Sequence, residues 1–230
     1  MALVPAAAAR LLLLSALAMA TVLAGCASSR HVRPLGRGNV AGHASLGGPL
    51  VGLGGDSHGP ALVIPTPILT LGGSYGVRRD ASVTASVDAT ALLFGVAHLE
   101  AGAVYHPIIR ESGAVPTLTT VGGVHLLTNV ADTRVAPFVT GAAAWRVRQR
   151  HLVYTGVDLA LAIGAPTRVV WGPLFGGEVR LGQRVGLSLE LKWLVPQYDV
   201  GPLAPAWISP GSHGYLSVLV GLNLYFGDVR

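Results

Sequence analysis

Few residues of this chain have the types and spacing that catalysis requires. Residues 72–76 (GGSYG) have the Gly-x-Ser-x-Gly spacing that in hydrolases places a nucleophilic serine on a turn between a strand and a helix. No helical pattern follows, because Arg78-Arg79-Asp80 predicts a turn into another strand. We therefore predict that Ser74 is a small polar residue of a strand and not a nucleophile.

One histidine and one carboxylate have the spacing of an acid–base pair. His98 and Glu100 are two residues apart in a predicted strand, so they share a face about 6.6 Å apart. Two such residues do not make a metal site, and the sequence has no metal-ligand, phosphate-loop or nucleotide motif. We expect hydrogen bonding in an interior, with Arg146 or Arg180 as the partner of Glu100.

Three further residues are candidates for a site at one rim of the fold. Asp56 and His58 lie in one of the two longest predicted connections, and His213 follows the other. Ordinary loop polarity explains all three, so we predict no catalytic, cofactor-binding or metal-binding residue and no enzyme activity. An enzyme acting on lipid or peptide at the extracellular rim stays as an alternative.

The N-terminus has the three parts of a secretory leader. Arg10 supplies positive charge, residues 11–22 form a short apolar core, and Leu23-Ala24-Gly25-Cys26 follows. This tetrapeptide resembles the lipobox of bacterial lipoproteins. The resemblance implies that residues 1–25 are a signal peptide cleaved between Gly25 and Cys26, and that the Cys26 thiol is lipidated. Cys26 is the single cysteine, so the chain forms no internal disulfide.

The same resemblance implies a destination. Ala27 is not the aspartate that retains such lipoproteins at the inner membrane, so we expect the outer membrane of a Gram-negative bacterium, with the N-terminus on the periplasmic side. The lipoprotein-sorting machinery would then be a partner. Residues 26–39 are predicted to be a lipidated, flexible tether, whose Arg30, Arg33 and Arg37 either contact anionic headgroups or are simply solvated.

The rest of the chain, residues 40–230, is predicted to be one β-barrel domain. The full chain is 51% hydrophobic and 12% charged, yet no run after residue 25 approaches the ~18–20 apolar residues of a membrane-spanning helix. Apolar side chains alternate instead with small or polar ones, most clearly in residues 185–195 and 216–226. Ten strands are predicted, at 40–48, 66–77, 81–90, 95–107, 116–127, 134–147, 152–162, 168–181, 184–196 and 214–226.

An antiparallel up-and-down barrel of about ten strands, with eight possible, accounts for this pattern. Strands of this length suit a tilted crossing of a bilayer, and aromatic residues cluster at strand ends as in the girdles of membrane barrels. The face opposite the apolar one carries small residues and scattered charges, which suits a lumen. A soluble, lipocalin-like periplasmic barrel would expose that face and would need more Lys and Glu there. These opposite-face charged residues and histidines are His43, Asp88, His98, Glu100, His125, Arg146, Asp158, Glu178, Arg180, Glu190 and Lys192.

The final strand adds a second resemblance. Residues 214–226 are similar to the terminal strand of bacterial outer-membrane β-barrel proteins, although four residues follow Phe226. The resemblance implies that the outer-membrane assembly machinery is a partner.

Three functional classes follow from these observations. The first is a structural or interaction barrel with a filled lumen. The second is a narrow pore or a binder of a small apolar ligand, and the third is the rim enzyme described above. The net charge of +5 carries no stripe of basic and aromatic residues, so nucleic acid is not an expected partner, whereas membrane lipids are.

Overall fold

The computed structural model describes Ser29 and residues 32–53, 62–110, 114–129, 132–148, 150–163, 167–199, 207–210 and 213–227. These residues form eleven strands, along which apolar and polar side chains alternate, and one short helix. The strands are β1 (Val40–Leu53), β2 (Leu62–Pro65), β3 (Ile68–Gly76), β4 (Ala81–Asp88), β5 (Ala97–Ile108), β6 (Thr117–Thr128), β7 (Thr133–Val147), β8 (His151–Ala162), β9 (Arg168–Arg180), β10 (Val185–Asp199) and β11 (His213–Phe226). The helix is α1 (Ala89–Leu93).

Ten of the strands close into an antiparallel barrel. Each of β3 to β11 pairs with its neighbour in sequence, and β1 pairs with both β3 and β11. The closing seam runs from the pair Val40 and Phe226 to the pair Pro49 and Ser217. This confirms the predicted all-β, up-and-down barrel, with ten strands and not eight. None of the described residues forms a helix long and apolar enough to cross a membrane.

The strand β2 is an addition that the sequence did not predict. β1 continues to Leu53 into the predicted connection, and its last four residues pair with β2 above the ring. Two residues, Thr66 and Pro67, separate β2 from β3. Proline has no N–H for the ladder, and Thr66 donates its N–H and its hydroxyl to the carbonyl of Pro49.

The strand predicted at 81–90 ends at Asp88, because Ala89 and Thr90 belong to the helix α1. The Asp88 carboxylate accepts a hydrogen bond of 2.9 Å from the N–H of Ala91, which makes Asp88 the N-cap of α1. The Thr90 hydroxyl accepts from the N–H of Leu69 and so fixes the helix to the end of β3. A capping carboxylate therefore ends this strand two residues early.

The two ends of the barrel differ. We call the end with the connections 77–80, 148–150 and 181–184 the turn end, and the end with the connections 54–61 and 200–212 the loop end. As the sequence predicts, Tyr75, Tyr105, Trp145 and Phe226 lie near the turn end. The Trp145 indole donates to the Ala114 carbonyl there, as the Trp193 indole does to the His213 carbonyl at the loop end.

The distribution of polarity across the barrel wall is the reverse of that in a water-soluble protein. Leu189 and Val220 point outward and are 57% and 55% exposed. Glu190 and Lys192, which alternate with Leu189 and Leu191 along β10, point into the lumen and are at most 1% exposed. Large apolar side chains cover the outside along every strand of the ring, and polar ones are enclosed, as the predicted alternation requires.

Candidate functional site

The polar lumen is the candidate functional site, because its charged side chains converge there from separate strands. The described strands bury five carboxylates in it, those of Asp88, Glu100, Asp158, Glu178 and Glu190. A buried carboxylate is costly unless it is paired or hydrogen-bonded. The partners of these five groups therefore define what the lumen can do.

Lys192 on β10 is the centre of the first network. Its Nζ lies 2.8 Å from Oδ2 of Asp158 on β8 and 3.2 Å from Oε1 of Glu190. Tyr154 donates its hydroxyl to Oε2 of Glu190 at 2.8 Å, and the Thr140 hydroxyl donates to Oδ1 of Asp158. Asp158 thus has one cationic and one neutral donor, and Glu190 has the Tyr154 hydroxyl as a donor and an ion pair with Lys192. Such pairing is the condition under which buried charges are tolerated.

A glycine makes room for part of this network. A Cβ atom at Gly176 would lie 2.5 Å from Cζ of Tyr154, which is closer than non-bonded atoms approach. Only glycine at this position allows the tyrosine ring to cross β9 and reach Glu190. This explains why a strand that faces a crowded lumen carries a residue without a side chain.

Glu178 on β9 is the centre of the second network. Its Oε1 accepts from Nε of Arg33 at 3.0 Å, and its Oε2 accepts from Nδ2 of Asn223 at 2.9 Å and from the Tyr225 hydroxyl. The Arg180 guanidinium lies 4.4 Å from the centroid of the Tyr225 ring, within the range of a cation–π contact. The network joins β9, β11 and the segment that precedes β1 near the turn end.

A histidine and carboxylate cluster on β4, β5 and β6 forms the third network. Nε2 of His98 lies 3.3 Å from Nδ1 of His125, and the His125 ring packs on Phe138 with centroids 4.5 Å apart. Oε2 of Glu100 is 3.6 Å from Nδ1 of His125, and Oδ2 of Asp88 is 3.9 Å from Nδ1 of His98. Within the described ranges, no three His, Cys, Asp or Glu residues are grouped so as to hold a metal ion.

The structure places a histidine beside Glu100 that the sequence-based expectation did not name. His125 lies directly opposite Glu100 in the β5–β6 pairing. Of the two arginines expected as partners, Arg180 lies over Tyr225 on the far strands, and pairing of Glu100 with Arg146 stays a prediction. Reasoning from charge alone did not identify His125, because strand order decides which groups meet.

The segment before β1 lies inside the barrel. Residues 32–35, here called the lumen segment, include three side chains at most 4% exposed, those of Val32, Arg33 and Leu35. Arg33 also donates from Nη2 to the Arg150 carbonyl at 2.9 Å, and the Val32 carbonyl accepts from the Thr119 hydroxyl at 3.4 Å. Val32 packs against the inward side chains of Ala142, Ala144, Leu152, Tyr154 and Leu174.

The position of Arg33 therefore differs from both sequence-based alternatives. It contacts neither headgroups nor bulk water, because buried Glu178 requires a cation and Arg33 supplies it. Arg37, two residues beyond the lumen segment, is exposed. Ser29 lines a lumen cavity of about 10 Å³ together with His43, Thr84 and Glu100, which is room for about one water molecule.

The remaining predicted positions divide into two groups. Gly25, Cys26, Asp56 and His58 lie outside the described residues, so the alternative of a rim site formed by Asp56, His58 and His213 stays untested. His213 is the exposed first residue of β11. Ser74 lies in β3, points into the lumen and donates its hydroxyl to Oγ1 of Thr84 at 3.0 Å, as expected for a small polar residue of a strand.

Comparison with known proteins adds the following findings. No family model and no curated protein sequence matches the chain. Three solved structures are similar at TM-scores of 0.42, 0.35 and 0.31 and at 8%, 10% and 11% identity. They are the translocator domain of the autotransporter NalP from Neisseria meningitidis, the outer membrane protein OprG from Pseudomonas aeruginosa, and a bacterial polysaccharide outer membrane secretin. The matches cover 90%, 85% and 84% of this chain and 94%, 99% and 98% of those chains, respectively.

Proposed function

We propose that this chain is an outer-membrane barrel with a closed lumen, serving a structural or interaction role and not transport or catalysis. The observation that carries the proposal is the reversed polarity of the wall. Outward Leu, Val and aromatic side chains would be costly in water and are favourable in a bilayer, while the enclosed ion pairs make a polar interior acceptable.

The filled lumen favours the structural role over the narrow pore. At ten strands, inward side chains already occupy most of the interior of a barrel. Here the Lys192 and Glu178 networks cross that interior, and the lumen segment occupies further space near the turn end. A solute would have to displace Arg33 from Glu178 in order to pass.

We also propose that the protein is a lipoprotein acylated at Cys26, on the strength of the lipobox. The lumen segment sets a geometric condition on this anchor. Arg33 is near the turn end, and the seven residues back to Cys26 span about 24 Å when extended, enough to reach a membrane surface. Ser29 is only three residues from Cys26, or about 10 Å, so acylation requires Ser29 to leave its lumen cavity while Arg33 stays.

Gel mobility with and without heating tests the proposed function. Membrane fractions that contain the wild-type protein or the Cys26→Ala variant are run unheated and boiled. We expect the band to shift on boiling in both, because the barrel and not the lipid holds the protein in the membrane. Extraction of either protein by carbonate as a soluble species without a heat shift would contradict membrane insertion.

The closed lumen is tested by conductance. Arg33→Ser removes the cation that holds the lumen segment on Glu178, and we expect openings in planar bilayers that the wild type does not show. Arg37→Ser is the matched control, because Arg37 is exposed and two residues beyond the segment. Heat-shifted bands from both variants exclude misfolding as the cause. Steady currents from the wild type, equal to those from Arg33→Ser, would contradict the closed lumen and favour the pore.

A further inference from the structure

The outer wall of β8 to β11 carries an apolar groove of about 1040 Å³. Gly177 faces outward between Val153 on β8 and Leu189 on β10, and having no side chain it leaves a depression between them. Phe175 borders the depression toward the loop end, and Val220 on β11 extends it around the barrel. The outward positions around Gly177 carry larger side chains, such as Val179, Leu187 and Leu191, so the missing side chain leaves a recess among them.

The groove reaches a cationic residue where it meets the turn end. Arg148 follows β7 directly, lines the groove and is exposed. Its φ of 51° is the left-handed conformation that arginine rarely adopts, so a position suited to glycine carries a long cation instead. Trp145 pairs with Val153 in the β7–β8 register and places the aromatic girdle beside the groove.

The turn end as a whole is basic. Seven exposed arginines lie there among the described residues, on every turn and on the segment before β1. One of them, Arg78, forms an ion pair with Asp80. The loop end has two exposed arginines among the described residues, Arg134 and Arg168, and Arg134 pairs with Asp132. The seven are Arg37, Arg78, Arg79, Arg110, Arg148, Arg150 and Arg184.

We propose that this groove is a binding site for one anionic phospholipid of the leaflet at the turn end. The acyl chains lie in the recess over Gly177, between Val153 and Leu189, and Arg148 binds the phosphate. Arginine suits this role because its guanidinium donates two parallel hydrogen bonds to phosphate oxygens, and the neighbouring arginines favour a lipid with net negative charge. The inference rests on the proposed membrane function, because it requires the outer wall to face lipid.

Native mass spectrometry of the full chain in detergent micelles tests the site. The purified protein is titrated with dioleoyl phosphatidylglycerol and, separately, with dioleoyl phosphatidylcholine. We expect one phosphatidylglycerol to be retained at least tenfold more tightly than phosphatidylcholine. Arg148→Gln removes the charge-assisted contact with the phosphate and should weaken phosphatidylglycerol binding at least tenfold. Arg79→Gln, at the same end but outside the groove, should change it less than twofold.

A second pair of variants tests the recess. Val153→Trp fills the groove and should also weaken binding about tenfold, whereas Val83→Trp places the same ring outward on β4, away from the groove, and should not. Equal retention of both lipids, or equal losses for Arg148→Gln and Arg79→Gln, would overturn the site. The heat shift is measured on every variant. A variant that binds less lipid but keeps the heat shift identifies an effect on the lipid site alone. Absence of the heat shift in the wild type overturns the proposed function.

Discussion

Replacing Lys192 by methionine is expected to lower the free energy of unfolding by about 3–5 kcal/mol. The side chain is 1% exposed and is paired with the buried carboxylates of Asp158 and Glu190. Without it, two negative charges share an enclosed space and lose a common cation. Unfolding by urea in detergent micelles, followed by tryptophan fluorescence, gives the change in free energy.

Two controls isolate the charge from the volume. Adding Asp158→Asn and Glu190→Gln to Lys192→Met removes the uncompensated charges and should recover most of the loss. Arg134→Met breaks the exposed pair with Asp132 and should leave the free energy of unfolding almost unchanged. A loss below 1 kcal/mol for Lys192→Met would mean that the Lys192 network contributes little to the folded barrel.

The second large effect is expected on the outer wall, from Val157→Arg. Val157 faces outward in the middle of β8 and is 40% exposed, so an inserted barrel holds it against the hydrocarbon core. An arginine there should cost about 2–4 kcal/mol of stability in the membrane. The fraction of protein that folds into phospholipid vesicles, read from the heat-shifted band, should fall accordingly.

The same substitution separates the inserted barrel from the soluble, lipocalin-like alternative. In a soluble barrel Val157 would face water, and an arginine would be neutral or would improve solubility. Val115→Arg is the control, because Val115 is exposed in the connection between β5 and β6, beyond the strands. Similar folding yields for the two variants would argue against insertion.

The faces of the strands were predictable because a strand has a side-chain period of two. In β10, the alternation of Leu187, Leu189 and Leu191 with Ser188 and Glu190 already separates the outer wall from the lumen, and the structure confirms it. The inward aromatic rings were predictable on the same basis. Phe138 shares its parity with Thr140, and Tyr225 shares its parity with Asn223.

The contacts within the lumen were less accessible to prediction. Glu100 meets His125 because their strands are neighbours in a particular register, and glycines such as Gly122 and Gly123 of β6 weaken the sequence signal for register. The pair of Arg33 and Glu178 joins a segment with no periodic pattern to a strand 145 residues away. The helix α1 did have a local sequence signal, because Asp88 is a residue type that caps helix N-termini and a glycine, Gly95, stands after the helix. In the structure Gly95 has a φ of 75°, as at many helix C-termini.

The pair of Arg33 and Glu178 constrains the order of events during folding. Arg33 precedes the first strand of the ring, and the seam between β1 and β11 is the contact most distant in sequence among the strand pairs. Once that seam forms, the lumen segment can enter only through an end of the ring. Chain closure over such a separation is slow compared with pairing of adjacent strands. The strands are therefore expected to assemble around the N-terminal residues first, and the seam between β1 and β11 to form last.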